Sequence, residues 1–392
     1  MKKAKVSIVR LQGYESKETS KALRKSLELL GGLKNILKPR SKVFVKINHL
    51  SPPSPPEKGI VTHPAFTKEV LLLLKEFACE ITVGDDIQST DVDGFLVSGY
   101  RTLCQELGIP LVNLKEKGFR EIPCHGKLLE KVYISPLVLE ADFVINLPKL
   151  KTHSFTIYTG AIKNMYGIIP WGLRHSYHRQ FMKNEVFSEM LVDIFSAAPP
   201  HLTIMDAVVA MEGEGPGAGN LRKVGLILAS RDAVALDAVA TRIISYDPMD
   251  IYTTFHAHQR GLGIGKLEDI EILGENLQAV EVKNFKHSAI SFTLFRSRIP
   301  SFLYAYFQDQ LILIPEVLRE KCTACLECIN VCPRGASKLR RGRAWIENDI
   351  CIHCMCCHEV CRFEAIKLSE LPLGRAIRGI AALSGMVRSL FR

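Results

Sequence analysis

Apolar and polar positions alternate along this chain in two distinct rhythms. Short apolar runs at Val6–Leu11, Lys42–Ile47, Glu80–Gly84, Ile109–Leu114 and Ala141–Leu147 have the length and β-branched content of strands. Between them, Glu18–Leu30 repeats its apolar residues at helical spacing and closes on Gly31-Gly32, and Pro64 opens a second helix with Thr62 or His63 at its cap. Phe95–Leu107 gives a further helix. Later come a helix over Glu185–Ala197, a strand HLTIMDAVVAM, a strand VGLILAS, a helix DAVALDAVATRII, a helix Tyr252–Arg260 and a strand IEILGE. Strands alternating with helices of this length predict an α/β fold with a mostly parallel, doubly wound sheet covered on both faces. In such sheets ligands bind beyond the carboxyl ends of the strands.

The rhythm breaks near the C-terminus, where CTACLECINVCP and CIHCMCCHEVC each read C-x2-C-x2-C-x3-C. Three thiolates of one run grip one 4Fe-4S cubane, and the fourth serves the other cluster. That assigns Cys322, Cys325, Cys328 and Cys361 to one cluster and Cys351, Cys354, Cys357 and Cys332 to the second. Structural zinc prefers paired knuckles or a Cys/His mixture, and a chain of 392 residues does not need disulfide staples. Cys356 is left over, and a small apolar filler is its default role. The predicted organisation is an α/β domain over 1–285, a docked apolar connection over 286–316, a small α+β ferredoxin-like domain over 317–368 with a hairpin near Arg340–Trp345, and a tail over 369–392. Arginines and regularly spaced apolar residues make the tail a basic amphipathic helix. We read it as packing on another domain, with peripheral membrane contact as the alternative.

A net charge of +10 admits an acidic partner or substrate, a membrane surface or nucleic acid. The cations are spread out and no basic–aromatic motif for nucleic acid accompanies them, so nucleic acid is not expected. Arg10 breaks the first apolar run too early for a secretory signal, and no run is long enough to cross a bilayer. A cytoplasmic location follows as the expectation.

The loops at the predicted strand ends collect Lys46, Asn48 and His49, then Thr62 and His63, then Lys149, Lys151 and His153 in a loop PKLKTHSF, then Lys163 and Asn164 in a small-residue helix GAIKNMYGI, then Arg174, His175, His178 and Arg179. Lysines supply point charges, Asn orients a carboxylate or phosphate, and a histidine moves a proton, so these residues predict a pocket for an anionic small molecule. EGEGPGAGN is glycine-rich but leads into a strand rather than a helix, which argues against phosphate cradling. It reads as a functional loop, with Glu212 and Glu214 to take a proton or a cation, or as a plain hairpin. Asp232 is an N-cap, and Asp85, Asp86 and Asp237 admit structural or functional roles.

In order, the K-x-N strand end, VTHP, LPKLKTH, GAIKNMYGIIP, EGEGPGAGN and SRDAVALDAVA resemble the prokaryotic family catalogued as domain of unknown function 362. Many of its members carry a C-terminal pair of 4Fe-4S motifs. The resemblance spans roughly residues 5 to 260 and the cysteine module. It implies an iron–sulfur protein and no particular reaction. Arg362 departs from the proline usual after the last cysteine. The functional expectation is two 4Fe-4S clusters passing electrons between a redox partner or carrier and an anionic substrate or cofactor in the pocket. Lys151, His153, Lys163, Glu212 and Glu214 are the candidate chemical groups, and Lys46, Asn48, Lys149 and Asn164 the binding groups. The alternative is a binding or maturation protein with structural or regulatory clusters.

Overall fold

The computed structural model describes residues 3–50, 53–88, 92–289, 312–372 and 375–376. The first apolar runs form β1 (Ala4–Arg10), β2 (Lys42–Ile47), β3 (Glu80–Asp85) and β4 (Leu111–Asn113). The helix Ser16–Leu29 buries Ala22, Leu23 and Leu27, and the helix Pro64–Glu76 buries Phe66, Val70, Leu71 and Leu74. The second helix begins where its proline predicts, and His63 caps it, Nδ1 accepting from the Ala65 amide at 3.2 Å. The helix expected over Phe95–Leu107 divides into Gly94–Val97 and Tyr100–Leu107, because Gly99 takes the left-handed conformation (φ 80°).

An unexpected antiparallel hairpin follows, β5 (Arg120–Pro123) and β6 (Lys131–Ile134). After the fully buried β7 (Phe143–Leu147), the segment expected as a loop is instead β8 (Lys149–His153), paired antiparallel with β9 (Ile157–Thr159). Two lysines in five residues disguise β8 as solvent-facing. Its residues are all buried, and each ammonium has a partner inside the protein. GAIKNMYGI begins as the helix Ala161–Asn164 and tightens to a 3-10 turn over Met165–Ile168. A hairpin of β10 (Leu202–Glu212) and β11 (Asn220–Ser230) and then β12 (Ile270–Gly274) complete the sheet.

The strand order is β12-β1-β11-β10-β7-β2-β3-β4, with β8 and β9 branching from β10. Neighbours from β10 to β4 run parallel, as do β12 and β1, and β11 is antiparallel to both its neighbours. From β2 the chain steps outward to β3 and β4, then returns to lay β7 on the other side of β2. That reversal opens a crevice at the carboxyl ends of β2 and β7. On β2, Val43, Val45 and Ile47 enter one core layer with Phe66 and Val70, and Phe44 enters the other with Val144 and Met205. Period-two alternation therefore puts Lys46 on the Phe44 face, at the strand's carboxyl end.

In the cysteine module β13 (Leu313–Val317) pairs antiparallel with β16 (Ile366–Glu370), and β14 (Ser337–Arg340) with β15 (Arg343–Ile346), the hairpin expected near Arg340–Trp345. The two cysteine runs repeat each other in backbone as well as sequence. Positive φ occurs at Ala324 and His353, at Leu326 and Met355, and at Gly335 and Glu364, the same offsets from the first or last cysteine of each run. Most of the 286–316 connection and of the 369–392 tail lies outside the described residues.

Candidate functional site between the sheet and the cysteine module

A cavity of about 100 Å³ occupies the crevice. Lys46 reaches it but is internally matched, 2.7 Å from Asp85 and donating to the Ile47 carbonyl at 2.7 Å. Gly167 permits this, since a Cβ there would lie 2.3 Å from the Asp85 carboxylate and 2.7 Å from the Lys46 ammonium. Lys151 extends from β8 and donates to the Ile60 carbonyl at 2.7 Å. Burial, with help from Lys163 and Lys149, pushes it down to about 7, where an ammonium readily gives up its proton. Lys163, on the helix Ala161–Asn164, also lines the cavity, and no described residue hydrogen-bonds its ammonium.

Other polar groups facing this space lack partners in the same way. Among the described residues, His49 Nδ1, His178 Nδ1, His175 Nε2, Arg174 Nε and Glu359 Oε1 are buried without a hydrogen bond. His49 uses Nε2 toward Ser98 Oγ (3.0 Å) and the Gly94 carbonyl (3.2 Å), and burial pushes it down to about 4, so the ring is neutral and Nδ1 is left as its unpaired acceptor. Arg174 holds Asp86 at 2.8 Å. Just behind the wall, His153 Nδ1 accepts from the Phe155 and Thr156 amides at 3.0 and 3.3 Å. That leaves the proton on Nε2, 3.5 Å from Glu359 Oε1. Burial pushes the Glu359 carboxyl up to about 7 against the pull of Lys163 and Lys151. Buried polar atoms are nearly always paired, so this concentration of unpaired ones singles out the cavity as the candidate site.

The far wall belongs to the cysteine module. Val331, Cys356, Glu359 and Val360 line the cavity together with Pro216 of the glycine-rich loop. That loop is clasped between the two parts of the molecule. The Gly215 carbonyl accepts from the Ser154 amide at 2.8 Å, and a Cβ on Gly215 would sit 2.3 Å from the Thr152 carbonyl. On its other side His358 Nε2 stands 3.3 Å from the Glu214 carbonyl.

Within the module, Cys322, Cys325, Cys328 and Cys361 surround a second, apolar cavity walled by Leu326, Ile329, Phe363 and Ile366. This is three cysteines of the first run and the last of the second, the interleaving that the spacing predicts. Burial pushes the Cys357 thiol up, and the neighbouring Cys354, Cys351, Cys328 and Cys332 add to the shift. All twelve cysteines are free. In each half a backbone amide points at the closing sulfur, Ala336 at Cys332 and Ala365 at Cys361, both at 3.2 Å. Unbridged thiols, apolar walls and N–H donors to sulfur fit an iron–sulfur cluster.

Residues 43–242 match the family described as "Domain of unknown function (DUF362)". The chain belongs to the DUF362 family. Residues 315–338 match the "4Fe-4S binding domain", so this DUF362 protein is an iron–sulfur protein. A thylakoid-associated protein of Synechocystis sp. is 36% identical over 261 residues, which are 66% of this chain and 79% of that protein. Two solved structures are more distant. The lactate racemase apoprotein of Thermoanaerobacterium thermosaccharolyticum aligns at a TM-score of 0.40 and 13% identity over 59% of this chain and 55% of its own, and a Thermotoga maritima protein at 0.33 and 14% over 64% and 60%. The described residues contain no helix long and apolar enough to cross a membrane.

Of the residues expected in the DUF362 pocket, Lys46, Asn48, Lys151, Lys163 and Asn164 line the cavity, and His153 stands behind it. Asn164 is oriented by Asn146 Oδ1 at 2.7 Å. Lys149 points elsewhere, into a closed network with Asp206 (2.7 Å) and Tyr14 Oη (2.8 Å). Glu212 and Glu214 are also outside the lining. Their carboxylates accept from the Lys286 and Ala289 amides at 3.0 and 2.6 Å, pinning the chain that leaves the α/β part. Glu359 was hidden from sequence reasoning inside a cysteine run. The one available signal was an acid flanked by apolar residues and cysteines. Asp237, for which the sequence admits either role, has a structural one. It accepts from the Ala161 and Ile162 amides (2.6 and 2.9 Å) and Tyr158 Oη (2.8 Å), fixing the short helix that carries Lys163.

Proposed function

We propose that this protein holds two 4Fe-4S clusters, on Cys322, Cys325, Cys328 and Cys361 and on Cys351, Cys354, Cys357 and Cys332, and passes electrons between an external carrier and a small anion in the cavity. The observation that carries this reading is the shared wall. Val331 and Cys356, chain neighbours of Cys332 and Cys357, line the same cavity as Lys46, Lys151 and Lys163. Bound clusters supply single electrons at low potential.

The side chains supply the rest. Lys163 and Arg174 attract and orient the anion. Lys151, balanced near neutrality, gives or takes a proton at Nζ, and His49 Nδ1 accepts a hydrogen bond from the ligand. Val331, Val360 and Pro216 keep water out, which strengthens these charges.

Protein purified without oxygen should contain about eight irons per chain, two cubanes by the ligand count, and show a reversible reduction signal in electron paramagnetic resonance. Lys163→Ala and Lys151→Ala should weaken binding of small anions such as acetate, oxalate and phosphate without loss of iron. Clusters that stay redox-silent over the accessible potential range would transfer the assignment to a binding or maturation protein with structural clusters.

A further inference from the structure

Ten large apolar side chains stand exposed among the described residues, and five of them, Leu326, Leu339, Trp345, Ile350 and Phe363, belong to the small cysteine module. Leu326, Leu339 and Phe363 line the Cys322 cavity, whereas Trp345 stands beside a concentrated positive charge. The β14–β15 hairpin carries Lys338, Arg340, Arg341 and Arg343, all exposed. The register sets Lys338 across from Trp345 and Arg340 across from Arg343. Alternation turns these four side chains to one face, while Leu339 and Ala344 on the other face line the Cys322 cavity. The Arg340 guanidinium lies 5.4 Å from the Trp345 ring centre, and Arg343 donates to the Arg319 carbonyl at 3.2 Å, which brings a further arginine alongside. Glu347 is tied to Lys338 at 2.8 Å.

Two arginines directly opposite each other destabilise a hairpin. An arrangement that costs local stability, and surrounds an exposed tryptophan with cations, is complementary to an acidic protein surface with an apolar centre. The chain's own C-terminal stretch is a poor occupant, because residues 371–392 contain four arginines and no acid. We infer that the outward face of this hairpin docks an acidic electron-carrier protein. This rests on the electron-transfer reading above, and it places the carrier at the Cys322 set, on the module's exposed side, with the Cys351 set toward the cavity.

The test uses the full, cluster-loaded chain and two acidic probes, a flavodoxin and a small ferredoxin, with binding followed by calorimetry. The expected result is saturable binding at 50 mM salt that weakens at least tenfold at 300 mM, as about three or more paired charges would produce. Arg340→Glu combined with Arg341→Glu and Arg343→Glu should weaken it at least tenfold, and Trp345→Ala several-fold, with iron content and the cluster absorption unchanged. Charge reversal on a distant helix, Lys17→Glu with Lys21→Glu, should leave binding as in the parent. No saturable binding of either probe, or equal binding by the hairpin variants, overturns the assignment. So does binding that appears only after residues 372–392 are removed, or capture by the hairpin of a single-stranded RNA in place of both probes. Redox-silent clusters would sink the electron-transfer reading separately, since probe binding is measured without turnover.

Discussion

The carboxylate that positions Lys163 provides a quantitative test. Asp237 is buried beneath the helix Ala161–Asn164 and takes hydrogen bonds from two of its amides and from Tyr158. Burial pushes its carboxyl from 3.8 up to about 6, while the three donors pull the other way. A group whose folded pKa is raised favours the fold when protonated. Its contribution is fully present below pH 3.8 and is lost as pH rises through 6. Between pH 5 and pH 8 the loss amounts to about 1.4 kcal/mol, one pKa unit's worth, because pH 5 lies one unit below the folded value. Asp237→Asn abolishes that titration and sets an amide NH2 against a helix N–H, costing about 1–3 kcal/mol for a buried donor left unpaired. The variant should therefore melt below the parent at pH 5, and the gap should close by about 3 °C at pH 8, taking roughly 2 °C per kcal/mol for a chain of this size. Circular dichroism melts under anaerobic conditions measure both gaps. A gap that stays constant or widens with pH would refute the assignment of a raised pKa to this carboxylate, and with it the view that the Lys163 helix is held by a strained charge.

Further expectations follow from single contacts. Lys46→Met leaves Asp85 buried without its cation and should cost about 3–5 kcal/mol in urea unfolding, whereas Lys46→Met with Asp85→Leu should recover most of it. Gly215→Ala drives a methyl to 2.3 Å from the Thr152 carbonyl, so it should destabilise by about 1–3 kcal/mol and raise the rate at which a protease cleaves the 213–220 loop. Lys151 should show a titration near pH 7 by nitrogen NMR or by pH-dependent acylation, and Lys163→Ala should move it upward by removing the largest repelling charge. Deleting residues 372–392 and comparing the protein's partition onto anionic vesicles decides whether the basic tail contacts membrane, unchanged partition assigning it to packing.

How much was legible depended on whether a residue's partner lay nearby in sequence. The strands and helices flanking β2, the Pro64 helix start with Thr62 or His63 at its cap, and the grouping of Cys361 with Cys322, Cys325 and Cys328 are readable from spacing and local signals, and the structure has each of them, with His63 as the cap. β8 was misread because its lysines find partners far away, Lys149 with Asp206, 57 residues on, and Lys151 with Ile60, 91 residues back. A strand that buries two cations cannot be told from a solvated loop until those partners are known. The same blindness affected Glu212 and Glu214, whose acidity suggested chemistry and whose carboxylates in fact hold backbone amides of residues 286 and 289.

The cavity shows the limit most clearly, since it is composite. The sequence places a basic pocket at the strand ends and a pair of cysteine runs beyond residue 320, with no local term linking them. The link is made by Glu359, whose carboxylate lies 3.5 Å from His153 Nε2 in the chamber that Lys163 and Lys151 share. A carboxylate buried there is costly by itself and tolerable only opposite those cations. The cations in turn repel one another unless something anionic fills the space between them. Each half of the molecule is thus electrostatically incomplete without the other. Glu359→Gln should then loosen the docking of the cysteine module, seen as faster amide exchange in the 213–220 loop and in the helix Cys356–Glu359. Added oxalate, by supplying the missing negative charge from solution, should slow that exchange again in the variant. Exchange unaltered by Glu359→Gln would mean that apolar packing alone holds the halves together, and that the cavity's charges are arranged for the ligand and not for the joint.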